Sequence, residues 1–266
     1  MAIRYIVRPS GILTTPKALK IATQARALAE AESGLRNQKF NPALDVFIGL
    51  PRSARVEGLS EGQRASYHQL RLFYTSTKFQ QRKALHEAGV SVPMTVGIHN
   101  LDMLADGWDN KCVKRPLHHR AGQGFEVGRF AELHPSLNVA THYLSVLFRR
   151  THEYRVIYCH GKRIATLLKK HPDAAPLPQD RPWTHAEGAF FVGLSSPQET
   201  HRLTQRGCYE ALERFHVIQE AHLCAVDVMV NDTSYAVSEI NFAPALTVQS
   251  RIEAVAARLL EVRSAS

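Results

Sequence analysis

The sequence predicts a mixed α/β fold in which strands and helices alternate first and an antiparallel sheet follows. Two observations lead to this prediction. A strand-like segment at residues 3–7 precedes a segment, residues 16–30, whose apolar residues have helical spacing. Later, the strand-like segments 154–159 and 163–168 are separated mainly by His160-Gly161, a connection typical of a hairpin.

The first half continues the alternation. Residues 45–49 form a second strand-like segment, whereas residues 52–74 give mixed signals and no element is predicted there. A helix is predicted over residues 77–89, because Thr77 can cap its first turn and Gly89 suits the left-handed position after its last turn. An extended segment at 90–96 and a strand at 112–114 follow.

The second half predicts mainly antiparallel sheet. Four prolines make residues 171–182 an exposed irregular loop, which could serve as a lid or a substrate loop. The longest predicted helix spans residues 197–220, because its apolar residues share one face. The other predicted elements are strands at 143–148, 223–230 and 235–240, a hairpin connection at 231–234, and a final helix at 252–262.

The charge balance favours anionic partners. The 33 Lys and Arg residues exceed the 24 Asp and Glu residues, which gives a formal charge of +9. Nucleotides, phosphates, acidic peptides and nucleic acid all fit this charge. No basic run is interleaved with aromatic residues as in nucleic-acid modules, so a nucleic-acid partner is not favoured.

Cysteine spacing and apolar run length limit the protein class further. The four cysteines form no C-x-x-C pair, so we expect buried thiols rather than zinc ligands or disulfides. The apolar runs are far shorter than the ~20 residues that a bilayer helix needs. We therefore expect a cytoplasmic protein with no membrane partner, and its oligomeric state stays open.

Two carboxylates near the end of the chain form a candidate metal site. Asp227 lies within an apolar strand and Glu239 lies at the end of the strand predicted to pair with it. Buried carboxylates are costly unless they are paired or bind a cation, and Mg²⁺ prefers carboxylate and amide oxygens. Asn241 adds an amide oxygen on the same strand face as Glu239. The alternative is a pair of strand-edge carboxylates that face water.

Four stretches of the sequence resemble the ATP-grasp superfamily, and within it the carboxylate-amine ligases similar to ribosomal-protein glutamate ligase and related phage-encoded enzymes. They are the Lys78 helix with Ala88-Gly89-Val90-Ser91-Val92-Pro93, Val113-Lys114-Arg115-Pro116 with Gly122-Gln123-Gly124, Glu153-Tyr154-Arg155-Val156, and Asp227 with the segment from Glu239 to Leu246. Their joint order is more specific than any one of them.

The resemblance implies three lobes, with the nucleotide between the last two. These are an N-terminal α/β substrate lobe at residues 1–75, a central lobe at 76–140 and a C-terminal antiparallel-sheet lobe at 141–266. It also implies that Lys78 and Lys114 bind the nucleotide phosphates, because a lysine ammonium group is a compact positive charge that suits phosphate oxygens. Gly122 and Gly124 would belong to the loop that closes over the triphosphate. Alternatively, Lys78 covers a helix start, and a lone G-x-G is by itself weak evidence for such a loop.

The other implied contacts concern adenine and the transferred phosphate. The hinge residues Ser145, Val146 and Leu147 would offer backbone groups to adenine, although no acidic residue follows at 148–150 for the ribose. Arg155 would bind the transferred phosphate, with an ion pair to Glu153 as the alternative. His185 would lie near the reacting groups, or be an ordinary turn residue.

The implied reaction is ATP-dependent ligation. A carboxylate substrate would be activated by ATP and Mg²⁺, with Mn²⁺ as an alternative metal, and an amine acceptor would complete the bond. The acceptor could be an amino acid, a peptide or a polymer. Two other functions stay open: a non-catalytic protein that binds nucleotide or nucleic acid, and an ATP-dependent phosphotransferase.

Overall fold

The computed structural model describes residues 4–7, 28–31, 39–40, 45–48, 55–56, 61–99, 111–118, 124–171, 180–183, 188–194, 197–242, 244, 246 and 248–264. The predicted residues Gly122 and His185 lie outside these ranges, as does most of the proline-rich loop.

The N-terminal region contains short parallel sheets. Its strands are β1 (Arg4–Val7), β2 (Leu28–Ala31), β3 (Lys39–Phe40), β4 (Asp45–Ile48) and β5 (Arg55–Val56). One sheet has the order β2-β1-β4 and the other pairs β3 with β5. The predicted helix at 16–30 is wrong at its end, because β2 pairs in parallel with β1 and this pairing overrides local helix propensity. Residues 16–27 lie outside the described residues.

Two helices connect this region to the rest of the molecule. The helix α1 (Glu61–Thr75) lies where the sequence predicted no element. The helix α2 (Lys78–Glu87) confirms the second predicted helix. Thr77 and Gln80 form a reciprocal capping box at its start, and Gly89 has φ of +78° after its end.

A small antiparallel sheet forms the central lobe. It consists of β6 (Lys111–Pro116), β7 (Glu126–Arg129) and β8 (His142–Val146) in the order β7-β6-β8, with the short helix α3 (Phe130–Leu133). Because β8 lies beyond residue 141 and pairs with β6, this sheet extends past the expected end of the central lobe.

A five-stranded antiparallel sheet forms the C-terminal lobe. Its strands are β9 (His152–Cys159), β10 (Lys162–Lys170), β11 (Phe190–Gly193), β12 (Cys224–Val230) and β13 (Tyr235–Asn241), in the order β11-β10-β9-β12-β13. His160 and Gly161, with φ of 45° and 71°, turn the β9-β10 hairpin. Both predicted hairpins are thereby confirmed.

Helices cover one face of this sheet. They are α4 (Pro197–Gln205), α5 (Cys208–Arg214), α6 (His216–Glu220) and α7 (Gln249–Ser264). The single helix predicted over 197–220 is wrong, because left-handed Gly207 separates α4 from α5 and extended Phe215 separates α5 from α6. Phe215 is only 2% exposed and packs edge-on against Phe73 of α1, so a core contact fixes the second break.

The main core lies between the five-stranded sheet and these helices, and Leu85 of α2 belongs to it. All four cysteines are buried free thiols, which confirms the burial expected from their surroundings. Within the described part of the chain, no helix combines the length and apolar composition needed to cross a bilayer.

Candidate active site

A pocket lies between the central sheet and the five-stranded sheet. Its walls come from α2, β6, β8, the segment after β8, and the exposed face of β9, β10, β12 and β13. The side chains that line it include Arg82, Val113, Arg115, Tyr143, Ser145, Val146, Leu147, Phe148, Arg150, Glu153, Arg155, Lys169, Trp183, Asp227, Met229, Ser238 and Glu239.

Strand register brings the predicted acidic residues together. Asp227 of β12 lies directly opposite Glu239 of β13 on one side and Arg155 of β9 on the other. Directly opposed residues in antiparallel strands place their side chains on the same sheet face. The register shifts just after Asp227, and the Ser238 hydroxyl donates to the Asp227 carbonyl oxygen at 3.1 Å. Three predicted site residues therefore meet at one end of the pocket.

Each of the two carboxylates has a basic partner. Arg155 binds Asp227 through two parallel hydrogen bonds, Nε to Oδ1 at 2.7 Å and Nη2 to Oδ2 at 2.8 Å. Lys78 Nζ lies 3.3 Å from Glu239 Oε2. Burial lowers the pKa of Arg155, but Asp227 and then Glu239 outweigh it, and the net shift is upward. The ion pair that the sequence left open for Arg155 forms mainly with Asp227 rather than Glu153.

The acidic end has ligands suited to a divalent cation. Asp227 and Glu239 supply carboxylate oxygens, and Asn241 lies two residues beyond Glu239 on the same face of β13. Among the described residues there is no cluster of three His, Cys, Asp or Glu side chains that could hold a metal, so the set depends on Asn241. The two carboxylates, the amide and the adjacent cations together fit Mg²⁺ bound with phosphate oxygens.

Neighbouring residues of β6 point to opposite faces of the central sheet. Arg115 lines the pocket with Val113, and they pair with Tyr143 and Ser145 of β8. Lys114 is not among the lining residues, and its Nζ lies 2.8 Å from Glu126 Oε2 on β7. The structure therefore brings Arg115, rather than the predicted Lys114, to the pocket. Side-chain alternation from Val113 could have indicated this.

Arg82 is a pocket residue that the sequence analysis missed. It is 5% exposed, its Nη1 donates to Thr95 Oγ1 at 3.2 Å, and its guanidinium carbon lies 5.1 Å from the Tyr143 ring centroid. Its buried Nε has no hydrogen-bond partner within the described residues. Burial is the main cause of its lowered pKa. Arg82 follows Lys78 by four residues on α2, a spacing that places both on one helix face and could have revealed it.

The predicted hinge residues 145–147 line the pocket as expected, but two of their backbone N–H groups already donate hydrogen bonds within the protein. The N–H of Val146 donates to the Met94 carbonyl at 2.8 Å and that of Leu147 donates to the Lys111 carbonyl at 3.0 Å. The N–H of Phe148, which also lines the pocket, has no backbone partner among the described residues. The structure therefore offers the Phe148 N–H to a ligand, one residue beyond the predicted segment.

A buried ionic cluster lies beside the hinge. Glu153 Oε1 contacts Lys169 Nζ at 2.5 Å, and its Oε2 lies 3.3 Å from Arg150 Nε. Lys169 also donates to the Trp183 carbonyl at 2.8 Å, and the Arg150 guanidinium carbon lies 4.2 Å from the centroid of the Trp183 ring. The sequence analysis found no acidic residue at the hinge, whereas Glu153 occupies this end of the pocket. The cluster ties residues 181–183 to the sheet.

The remaining predicted site residues stay predictions. Gly124 has φ of +71°, and a Cβ atom there would lie 3.2 Å from Pro116 Cγ, so glycine fits this turn, but Gly124 is not among the pocket-lining residues. Gly122 and His185 lie outside the described residues.

Comparisons with solved structures show what the fold resembles. The D-alanine–D-alanine ligase from Bacillus anthracis complexed with ATP is 14% identical, with coverage of 100% of this chain and 99% of that chain and a TM-score of 0.57. D-cycloserine synthetase DcsG is 13% identical, with 98% and 100% coverage and a TM-score of 0.59. The ATP-grasp ligase PsnB, complexed with a phosphomimetic precursor variant, Mg and ADP, is 13% identical, with 97% and 99% coverage and a TM-score of 0.54.

The sequence itself gives no such match: no family model matches the chain, and no curated protein matches it significantly. The structural likenesses establish a shared fold and confirm the mixed fold class, with helices and antiparallel sheets, that the sequence predicted.

Proposed function

We propose that this chain, which has the ATP-grasp fold, is an ATP- and Mg²⁺-dependent ligase that joins a carboxylate to an amine through an acyl phosphate. The observation that carries the proposal is the meeting of Asp227, Glu239 and Arg155 on adjacent strands at one end of the pocket. The opposite end has an apolar hinge, where the Phe148 N–H has no backbone partner within the described part of the chain, and this suits a nucleobase.

Charge in the pocket supports a polyanionic ligand. Five basic side chains line it against three acidic ones, which leaves an excess of two positive charges before Lys78 is considered. Arg155 contacts Asp227, whereas Arg82 donates to the Thr95 hydroxyl oxygen and the Arg115 guanidinium lies over the Phe125 ring. We infer that Arg82 and Arg115 bind the nucleotide phosphates and that Lys78 assists them.

The nucleoside would lie at the hinge. Val113 from β6 and Met229 from β12 line the pocket from different lobes, so they can contact the two faces of a base. The Phe148 N–H can donate to a ring nitrogen at the edge of that base. Glu153 is the carboxylate nearest to this end, and ribose hydroxyls would compete with Arg150 and Lys169 for it.

The metal would be held by Asp227, Glu239 and Asn241. When bound, Mg²⁺ would neutralise charge on the phosphate oxygens during transfer. Arg155 would then exchange part of its contact with Asp227 for the transferred phosphoryl group, whose planar geometry a guanidinium matches. Lys78 would similarly turn from Glu239 towards phosphate.

The chemistry requires no nucleophile from the protein. A carboxylate oxygen of the substrate would attack the γ-phosphorus of ATP, and the bond from that phosphorus to the bridging oxygen would break, which releases ADP. The amine would then attack the acyl carbon, lose a proton and expel phosphate. The chain would position the reactants and stabilise charge, which accounts for a pocket rich in arginine and paired carboxylates.

An isotope experiment tests this proposal. Purified protein is incubated with ATP, Mg²⁺ and mixtures of amino acids or peptides whose carboxylates carry ¹⁸O, and products are identified by mass spectrometry. We expect sustained turnover, with release of ADP and phosphate, only with both substrates, and one ¹⁸O atom transferred to the released phosphate. ATP binding without ADP would support a non-catalytic protein, and a stable phosphorylated product would support a phosphotransferase. Either result would contradict the ligase proposal.

A further inference from the structure

Among the residues that the structure describes, the five-stranded sheet has one stretch of edge outside the active site to which no strand is paired. The strand β11 pairs only with residues 167–170 of β10, and it ends at Gly193 opposite Leu167. Residues 163–166 of β10 have β9 on one side and no paired strand on the other among the described residues. At about 3.3 Å per residue, this edge is roughly 13 Å long, which matches a peptide segment of about four residues.

A groove of about 820 Å³ lies over this edge. Its other walls are the end of β11, the helices α4 and α5, and the first turn of α7. Hydroxyl groups dominate its polar lining, and they come from Thr166, Thr200, Thr204, Tyr209 and Ser250. The groove is therefore large enough for a short peptide and offers several hydrogen-bonding side chains.

The charge of the groove is entirely positive. Arg163 and Arg251 line it, and none of its described lining residues is acidic. The Arg163 guanidinium carbon lies 3.6 Å from the centroid of the Tyr209 ring, which orients it along the groove. The Arg251 N–H donates to the Val248 carbonyl at 3.1 Å, but its guanidinium has no hydrogen bond or ion pair with another described residue. These two cations are available to an anionic ligand.

Gly193 lets Arg251 approach the end of β11. A Cβ atom added at Gly193 would lie 3.1 Å from Arg251 Nη2, closer than most side-chain contacts allow. Burial lowers the pKa of Arg251, as expected for a cation that is partly removed from water without a countercharge. The guanidinium thus lies beside the point where β11 ends.

We propose that this groove binds an acidic peptide segment in extended conformation, with its backbone along residues 163–166 of β10 and its carboxylates on Arg251 and Arg163. An unpaired strand edge offers N–H and C=O groups that only another peptide backbone can match regularly. Arginine forks recognise carboxylates through paired hydrogen bonds. These features favour a peptide over nucleic acid, whose backbone cannot add to a sheet.

The groove is separate from the pocket proposed for ligation, but residues of β10 line both. Phe191 of β11 lies beneath Arg155, whose guanidinium carbon is 4.2 Å from the Phe191 ring centroid. A peptide that extends β11 would therefore dock beside the wall of the nucleotide pocket. The inference goes beyond the proposed function, and binding requires neither ATP nor turnover.

Peptide binding tests the inference directly. An array of eight-residue peptides that vary in the number and spacing of Asp and Glu is probed with the full chain, and the strongest binder is then measured by fluorescence anisotropy. We expect selective binding of acidic members over matched basic ones. Arg251→Gln and Arg163→Gln should each weaken binding about tenfold, about 1.4 kcal/mol. Arg214→Gln, an exposed arginine on α5 outside the groove, is the matched control and should leave binding unchanged.

A second measurement distinguishes strand addition from simple charge attraction. Methylation of alternate backbone nitrogens in the acidic peptide removes N–H donors without changing charge, and it should abolish binding in one of the two alternating patterns. The inference fails if no acidic peptide binds selectively, if both methylation patterns are tolerated, or if both groove variants behave like Arg214→Gln. Stronger binding of a single-stranded oligonucleotide to the same two arginines would also overturn it.

Discussion

The two ends of the pocket use charge in different ways. At the end that contains Asp227 and Glu239, which we call the phosphate end after the proposed ligand, Asp227 contacts Arg155 and Glu239 contacts Lys78. Lys78 and Glu239 retain side-chain exposures of 25% and 34%. At the hinge end, Glu153 lies between Arg150 and Lys169, and all three side chains are at most 8% exposed. The first arrangement can exchange partners when a ligand arrives, whereas the second fixes the wall of the pocket.

The difference follows from where each group lies. At the phosphate end, Arg155, Asp227 and Glu239 project from the open face of β9, β12 and β13, and Lys78 reaches Glu239 from α2. Water and ligand oxygens can replace the exposed partner of Glu239. The hinge cluster lies under Trp183, and its cations also hold the carbonyl groups of Arg181 and Trp183. Buried charges without a partner are costly, so this cluster should contribute to stability more than to binding. Three substitutions test the comparison.

The largest effect is expected for activity at the phosphate end. Asp227→Asn removes a proposed metal ligand and the charge that orients Arg155, so ADP formation should fall by about 100-fold to 1,000-fold. Steady-state ADP release at saturating Mg²⁺ measures this. Asp232→Asn makes the same chemical change in the exposed turn of the same hairpin and should retain full activity.

Loss of folding could also abolish activity in Asp227→Asn, because Arg155 would remain largely buried beside a neutral partner. Glu239→Gln avoids this problem, since Glu239 is more exposed and its pair with Lys78 should contribute less than about 1 kcal/mol to stability. It should lose activity while its unfolding curve stays near that of the unmodified protein. Activity close to normal in this variant would exclude Glu239 as a metal ligand.

The next effect is expected for stability at the hinge end. Glu153→Gln leaves Arg150 and Lys169 buried without their carboxylate, so the free energy of unfolding should fall by about 3–5 kcal/mol. Urea unfolding followed by circular dichroism measures the change. Glu210→Gln, which breaks an exposed pair with Arg214 on α5, should change it by less than about 1 kcal/mol. Equal effects of the two substitutions would show that the hinge cluster is not a structural tie.

The sequence predicted the phosphate end better than the hinge end, and the reason is physical. Asp227 and Glu239 lie on strands joined by a short turn, so their pairing follows from the local sequence pattern. Only one further strand pairing is then needed to place Arg155 beside Asp227. Arg150, Glu153 and Lys169 meet Trp183 across a loop whose path has no periodic signal. Likewise, the sequence could not separate α5 from α6 within one long predicted helix, because the break at Phe215 depends on its contact with distant Phe73.

The smallest predicted effect concerns a single strand on which adjacent residues face opposite ways. Arg115 lines the pocket and Lys114 pairs with Glu126 on the other face of β6, so the two neighbours form a matched test. Arg115→Ala should weaken ATP binding about 10-fold to 100-fold, about 1.4–2.7 kcal/mol, the range for a charged hydrogen bond. Lys114→Ala should weaken it less than about threefold, because its ion pair is with an exposed partner. Isothermal titration with ATP and Mg²⁺ measures both, and the reverse order would mean that β6 turns its other face towards the phosphates when nucleotide binds.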